Sequence, residues 1–313
     1  MKKQLLKYVA LCGFALLLPP AEANAKEFSF GVIVPSRNAA MTEPALREAI
    51  DQADADNLAF VVANGIKAAG EPCSDRLYND RKALLQTAKK NLIVSLAAND
   101  WAKCAGENGK SSAIGRLNRV RELFFTEEFS FDGAGIPLVR QSATAKFRSY
   151  VENARWEMGN IMFATLNLPG NNNHYVFDAG RNSEFEDRLI ANRDWLHRVY
   201  IYAMRKKLAG IVLFCDGNPL PLPANSEDNS ARRDGFVETR RYITNLAAKF
   251  PGKILVIHNA EDGHANAPPA IVWRRNLGEL ALGPGSLKLT ADSSSRALFT
   301  VANETAQAAN HRP

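Results

Sequence analysis

Residues 91–104 read NLIVSLAANDWAKC, a short apolar run that stops in a polar loop. The run at 92–94 predicts a buried strand, because near-continuous β-branched and aliphatic residues are typical of strands that are covered on both faces. Asn99 and Asp100 follow this strand closely. In α/β proteins the residues that follow such strands gather at one edge of the sheet, where ligands bind. The stretch therefore predicts an α/β protein with a site at its strand ends.

The same pattern continues on both sides of this stretch. Further strands are predicted from apolar runs at 28–34, 58–63, 160–168, 209–215 and 252–258. Helices are predicted between the strands, at 42–54, 74–90, 183–208 and 234–250, with Ser74 as one N-cap and Ser183 with Glu186 as a capping box. Near the C-terminus, 281–304 predicts two antiparallel strands around the turn ADSSS. This alternation is typical of a layered α/β fold, which we expect to form one domain over residues 26–302.

The N-terminal segment has the features of a secretory signal. Lys2 and Lys3 precede a short apolar core, and small residues at Ala23 and Ala25 offer a cleavage site. We therefore expect residues 1–25 to be removed and the protein to be exported, to the periplasm or outside the cell. A lipid anchor on Cys12 is the alternative. No later segment has the roughly 20 apolar residues of a membrane helix, and residues 303–313 are expected to be disordered.

The charge of the chain argues against a nucleic-acid partner. The formal net charge is +6, and removal of the three lysines and one glutamate within residues 1–25 leaves +4. The basic residues are scattered and form no dense stripe of the kind that contacts phosphate backbones. We therefore expect no nucleic-acid binding.

Three cysteines lie beyond the predicted signal segment. Cys73 and Cys104 both lie in loops just past apolar runs, so we expect them to form a disulfide in an oxidising compartment. Cys215 lies inside the apolar run GIVLFC, which favours a buried free thiol. No CxxC pair is present, so the sequence does not predict a zinc knuckle.

The order of these pieces resembles the calcineurin-like metallophosphoesterases, and in particular a secreted bacterial branch of that superfamily. The resemblance covers about residues 28–300 and is carried by GVIVPSR, FVVANGIKAAGEPCSD, AANDW, RLNRVRELFF, PLVRQS, ENARWEMGNIMFATLNLPGNNN and VIHNAEDGH. It implies a four-layer αββα sandwich, a two-metal centre at the strand ends and hydrolysis of phosphoesters. Such a centre clamps phosphate oxygens and activates a bridging water.

The resemblance also implies which residues should hold the metals, and most of them are absent. Acids are expected at the ends of the first three strands, where this chain has Pro35, Gly65 and Ala98. No Asp or Glu lies within 28–41 or 57–70 that a shifted alignment would bring into place. The chain is therefore predicted to be a degenerate phosphoesterase with a binding or interaction role and without a cofactor. Its partner is expected to be an unknown protein or a small anionic ligand.

An active metal-dependent phosphoesterase with a remodelled site is the alternative. By resemblance Asn99 matches a ligand Asn, and His258 and His264 match the ends of a late histidine motif. With Asp216 and Asp262 they form a candidate site for one divalent transition metal, Mn, Zn or Fe. Arg37 and Lys67 are candidates for binding an anion without a metal. Other catalytic classes are not indicated, since the chain has no GxSxG, P-loop or GxGxxG motif.

Overall fold

The computed structural model describes seven stretches of the chain. They are residues 27–35, 43–106, 109–126, 135–177, 182–220, 233–260 and 268–302. The predicted signal segment with Cys12, the predicted tail, Arg37, Asp262 and His264 lie outside these stretches, so the expectations about them stay predictions. None of the helices in the described stretches has the length and apolar character needed to cross a membrane.

The described residues form twelve strands and five α-helices. The strands are β1 (Glu27–Val34), β2 (Val61–Asn64), β3 (Leu92–Ser95), β4 (Val139–Arg140), β5 (Ala154–Met158), β6 (Ile161–Thr165), β7 (Gly210–Phe214), β8 (Lys253–Asn259), β9 (Val272–Arg274), β10 (Leu277–Leu282), β11 (Gly285–Asp292) and β12 (Phe299–Val301). The helices are α1 (Glu43–Ala55), α2 (Asp75–Leu85), α3 (Ala113–Phe124), α4 (Ser183–Lys206) and α5 (Val237–Ala247).

The strands form two mixed sheets. The first has five strands in the order β12-β11-β1-β2-β3, and the second has seven in the order β4-β5-β6-β7-β8-β10-β9. Strands β1, β2 and β3 are parallel to one another, as are β6, β7, β8 and β10, whereas the remaining pairings are antiparallel. The α/β class predicted from the sequence is confirmed.

The buried apolar side chains of the sheets and helices form three cores. One core joins the first sheet to α1, α2 and α3, and another joins the second sheet to α4 and α5. The core between them takes side chains from both sheets, among them the packed rings of Phe30, Phe60, Trp156, Phe163 and Phe214. Each central strand is therefore apolar on both faces, which explains the near-continuous runs in the sequence.

The predicted elements are present, with shifted ends. Ser74 is the N-cap of α2 and accepts a hydrogen bond from Leu77 N at 3.2 Å, and the antiparallel pair β11–β12 is confirmed. Helix α2 ends at Leu85, earlier than predicted, and the backbone N–H groups of Lys89 and Lys90 donate to Asp54 instead of continuing the helix. The predicted capping box is wrong, because Ser183 is already helical and Asn182 is the N-cap residue.

Candidate functional site at the strand ends

Three polar side chains from both sheets meet at the carboxyl ends of the parallel strands. Asn64 ends β2, Asp216 follows β7 and Asn259 ends β8. Side chains alternate along a strand, and Val62, Phe214 and Ile257, two residues earlier in each case, belong to the core between the sheets. The three polar side chains therefore face the space between the sheets, and all are buried.

Asp216 is the centre of this group. Its Oδ2 accepts hydrogen bonds from the backbone N–H groups of Ala98 and Gly170, each at 2.7 Å. Its Oδ1 accepts one from Asn259 Nδ2 at 2.8 Å. Because Ala98 follows β3 and Gly170 follows β6, one carboxylate holds the loops of two strands from different sheets.

Asn64 and Asn259 complete the connection between the sheets. Asn64 Nδ2 donates to the carbonyl of Cys215 at 2.7 Å and to Asn259 Oδ1 at 2.8 Å. Asn259 Nδ2 also donates to the carbonyl of Asn64 at 3.1 Å. We call Asn64, Asp216 and Asn259, with the backbone N–H groups of Ala98 and Gly170, the strand-end network. It links the two sheets by hydrogen bonds between buried groups.

The positions where acids were expected are filled by apolar atoms. Pro35 is buried at the end of β1, and Gly65 has a φ of +121°, a conformation that favours glycine. A Cβ on Gly65 would lie 3.1 Å from the Pro35 ring and 3.2 Å from Ala97 Cβ. Proline, glycine and alanine side chains supply no metal ligand, so these three positions contribute none.

The described residues at this edge do not fit a two-metal centre. Two hard cations held side by side need several carboxylate or imidazole ligands, whereas the strand-end network offers one carboxylate and two amides. Within the described stretches, no group of three or more His, Cys, Asp or Glu side chains is placed to hold a metal ion. Asp262 and His264 lie outside those stretches.

His258 lies on the other face of the second sheet. It precedes Asn259 in β8, and alternation therefore directs it toward the core under α4 and α5. Its Nδ1 is 3.1 Å from the carbonyl of Asn259 and its Nε2 is 3.4 Å from Glu279 Oε1. Asn218 also donates to Glu279 Oε1 at 2.6 Å. These contacts, first of all that with His258, lower the pKa of Glu279 below its usual value.

Asn99 lies beside the strand-end network without joining it. It is the middle residue of a 3₁₀ turn over Ala98–Asp100 and is 7% exposed. Its Oδ1 is buried without a hydrogen-bond partner among the described residues, and the same is true of Asn171 Oδ1. Asn99 and Asn171 each follow a residue whose N–H binds Asp216.

Asp100 holds the loops after β2 and β3 together. Its carboxylate accepts hydrogen bonds from the backbone N–H groups of Ile66, Lys67 and Ala97 at 2.9, 3.1 and 2.7 Å. Burial raises its pKa to about 7, against the opposing effect of these bonds and of the Lys67 charge. Tyr78 Oη also donates to the carbonyl of Asp100 at 2.7 Å. Asp100 therefore has a structural role: it holds the loop after β2 against the loop after β3.

Lys67 and the two cysteines lie in the same loops. Lys67 is only 2% exposed, and its Nζ donates to the carbonyl of Ala68 at 2.9 Å. Burial lowers its pKa. The disulfide between Cys73 and Cys104 is confirmed, with Cα atoms 5.8 Å apart, and Cys215 is a buried free thiol as predicted. The loops after β2 and β3 are thus held by a covalent bond as well as by Asp100.

Comparison with protein-family profiles and with curated proteins finds no match to this chain.

Sequence reasoning named Asp216 and Asn99 but did not single out the side chains of Asn64 and Asn259. Both were placed in loops, whereas the structure has each as the last residue of its strand. The alternation of side chains along these two strands is the signal that would have found them, once the strand ends were fixed to within one residue.

Proposed function

We propose that this chain is a metallophosphoesterase-fold protein in which the strand-end network replaces the two-metal centre, and that it acts by binding rather than by hydrolysis. The proposed architecture is a four-layer αββα sandwich. It is supported by the three apolar cores, which place α1–α3 against the first sheet, the two sheets against each other and α4–α5 against the second sheet.

The hydrogen bonding of Asp216 carries this proposal. A carboxylate has about four acceptor sites, and Ala98 N, Gly170 N and Asn259 Nδ2 occupy three of those on Asp216. A cation at this carboxylate would have to displace donors that are themselves buried, and each donor left unpaired costs about 1–3 kcal/mol. The network therefore stabilises the strand ends by bonds that a metal would have to break.

The proposed location outside the reducing cytosol is supported by the disulfide between Cys73 and Cys104, because such bonds persist in oxidising compartments. We propose a protein or a small anionic ligand as the partner. Lys67 gives no support to direct anion capture, since its ammonium group is buried against the carbonyl of Ala68.

Metal content and hydrolysis test the proposal together. Protein purified without chelator and then soaked in Mn²⁺ or Zn²⁺ is expected to hold no stoichiometric metal by elemental analysis. It is expected not to hydrolyse bis-p-nitrophenyl phosphate above the rate in buffer, and Asp216→Asn should behave like the wild type. Two equivalents of metal, with turnover that Asp216→Asn abolishes, would overturn the proposal.

A working phosphoesterase with a remodelled site is the second candidate. The buried, unpaired Oδ1 of Asn99 favours it, because such an oxygen is available to a cation. The site would include Asp216 with His264 and Asp262, while His258 would have to turn from the opposite face of β8. If this candidate is right, the wild type hydrolyses the phosphodiester, Asn99→Ala loses that activity, and the two have similar melting temperatures. An inactive wild type eliminates it.

A further inference from the structure

A groove between α4 and α5 lies apart from the strand-end network. Its volume is about 430 Å³, within the range of pockets that hold small molecules. Leu189 and Ile190 of α4 line it with partly exposed apolar side chains, and Leu196 borders it from the core under α4 and α5. Ile190 is 45% exposed, so its side chain is open to a ligand. The groove therefore offers apolar surface that a ligand would cover.

The charged residues around this apolar surface are mainly positive. Three arginines line the groove, Arg193 from α4, Arg241 from α5 and Arg233 from the segment before α5, against the single glutamate Glu238. Glu238 pairs with Arg241 at 2.5 Å. Arg193 makes no ion pair with any other described residue and is exposed. Among the described residues, the groove thus combines a partly apolar lining with more positive than negative charge.

The charge of Arg193 acts across the groove. Tyr242 of α5 lines the opposite side. Burial raises the pKa of Tyr242; the charge of Arg193 opposes that rise and the charge of Asp194 adds to it. Arginine also presents planar, bidentate donors that match carboxylate, sulfonate and phosphate groups. Arg193 is therefore placed to bind the charged end of a ligand whose body lies on α4.

Residues 233–235, at one end of the groove, are held in place by contacts within the protein. The carbonyl of Arg233 accepts a hydrogen bond from Asn172 Nδ2 at 3.0 Å, and Asn172 Oδ1 accepts one from Gly235 N at 2.8 Å. The Arg233 guanidinium lies over the Tyr175 ring, 5.4 Å from its centroid. A fixed rim favours binding, because little conformational entropy remains to be lost.

We propose that the groove between α4 and α5 binds a small amphipathic anion, an apolar aromatic or acyl body that carries one carboxylate, sulfonate or phosphate group. The apolar body covers Leu189 and Ile190, and the anionic group pairs with Arg193. Charge complementarity selects an anion over a neutral or cationic ligand. The site does not depend on the strand-end network, because none of its lining residues belongs to that network.

Two matched fluorescent probes test this inference on the full chain. Anilinonaphthalene sulfonate carries an anionic group on an apolar body, and N-phenylnaphthylamine is nearly the same body without the charge. We expect the sulfonate to bind saturably at one site and about tenfold or more tighter than the neutral probe, as a charge-assisted hydrogen bond implies. Sodium dodecanoate should displace it, whereas sodium phosphate at the same concentration should not.

Three substitutions locate the site. Arg193→Gln should weaken sulfonate binding about tenfold, and Ile190→Glu should weaken it at least as much, by placing a negative charge on the apolar lining. Arg205→Gln is the matched control, since Arg205 is exposed in the last turn of the same helix, outside the groove, and should bind as the wild type does. Circular dichroism and melting temperature should match for all four proteins, because both target side chains are exposed.

Equal binding by Arg193→Gln and Arg205→Gln would overturn the inference, as would equal affinity for the two probes. Displacement by an acidic peptide but not by dodecanoate would also overturn it, in favour of a protein partner. Metal content and phosphodiester hydrolysis do not enter these measurements, so their outcome is independent of the proposed function.

Discussion

Two buried aspartates, Asp100 and Asp216, hold different pairs of loops at the carboxyl ends of the strands. Asp100 and Asp216 each accept backbone N–H groups from loops that follow strands. Asp100 joins the loops after β2 and β3, neighbours in one sheet, and the Cys73–Cys104 disulfide holds those same loops. Asp216 joins the loops after β3 and β6, which belong to different sheets. The Cys73–Cys104 disulfide does not link these two loops. The two sheets are therefore connected by hydrogen bonds and apolar packing, whereas the loops after β2 and β3 are also joined covalently.

The largest expected effect follows from removing the Asp216 carboxylate. Asp216→Ala leaves the backbone N–H groups of Ala98 and Gly170 and one N–H of the Asn259 amide without their acceptor. Since each buried unpaired donor costs about 1–3 kcal/mol, we expect the free energy of unfolding to fall by about 5 kcal/mol in urea titrations. Asp216→Asn should lose less, because one oxygen remains. Asp56→Ala, at an exposed aspartate, is the control and should change stability by less than about 0.5 kcal/mol.

The next effect concerns the pH dependence of Asp100. Burial raises the pKa of this carboxyl from 3.8 to about 7 in the folded protein, so the folded state holds a proton that the unfolded state has lost. The resulting stabilisation is complete below pH 4 and is lost as the pH rises to about 7. At 1.36 kcal/mol per unit this amounts to up to about 4 kcal/mol. Unfolding free energies measured from pH 4 to pH 7 should show this fall in the wild type.

Asp100→Asn tests the assignment of that pH dependence. The amide cannot titrate, although one of its two ends must now face a backbone N–H that the carboxylate accepted. The variant should therefore be less stable overall, with a flatter profile between pH 4 and pH 7. A profile parallel to that of the wild type would show that Asp100 is not the group responsible.

Removal of the disulfide should have a somewhat smaller effect. The cysteines are 31 residues apart in the sequence, and the entropy of closing a loop of this length in the unfolded chain corresponds to about 3.5 kcal/mol. The double variant Cys73→Ser/Cys104→Ser should lose this amount in urea unfolding, and dithiothreitol should have the same effect on the wild type. If Asp100 alone held these loops, reduction would leave the stability unchanged.

The smallest effect is expected at Glu279, a carboxylate on the opposite face of the second sheet. Its pKa is lowered chiefly by the hydrogen bond with His258, so its contribution is present above pH 4.5 and is lost as the pH falls through its folded value. Glu279→Gln keeps an acceptor for Asn218 and should lower stability by about 1 kcal/mol at pH 7. As the pH falls below 4.5, the difference in stability between the variant and the wild type should shrink. If Glu279→Gln lowered the free energy of unfolding as much as Asp216→Ala, the side chains on the helix-facing side of the second sheet would matter as much as those between the sheets.

Local patterns predicted most of the fold. The apolar runs identified β1, β2, β3, β6, β7 and β8, because buried strands need continuous apolar sequence on both faces. The loop positions of Cys73 and Cys104 were enough to predict their disulfide. Strands β4, β5, β9 and β10 and helix α3 were not predicted. Strands β4 and β9 have only two or three residues and carry almost no periodic signal.

The candidate site was harder to predict because a shift of one residue reverses the face of a strand. The predicted strand at 252–258 ended at His258, and the structure extends it to Asn259. His258 was placed among the candidate ligands, yet it contacts Glu279 under the helices, while Asn259 contacts Asp216 between the sheets. The groove between α4 and α5 was not predicted at all, since it arises only when two helices distant in sequence pack side by side.

The pairing of β1 with β11 has a consequence for how the chain is made. Residues 27–34 pair in register with 285–292, so β1 is synthesised long before the strand that pairs with it. Contacts this distant along the chain slow folding, and until β11 has been synthesised β1 has an unpaired edge of the kind that promotes aggregation. Nascent chains that stop before Gly285 should therefore require a chaperone to stay dispersed.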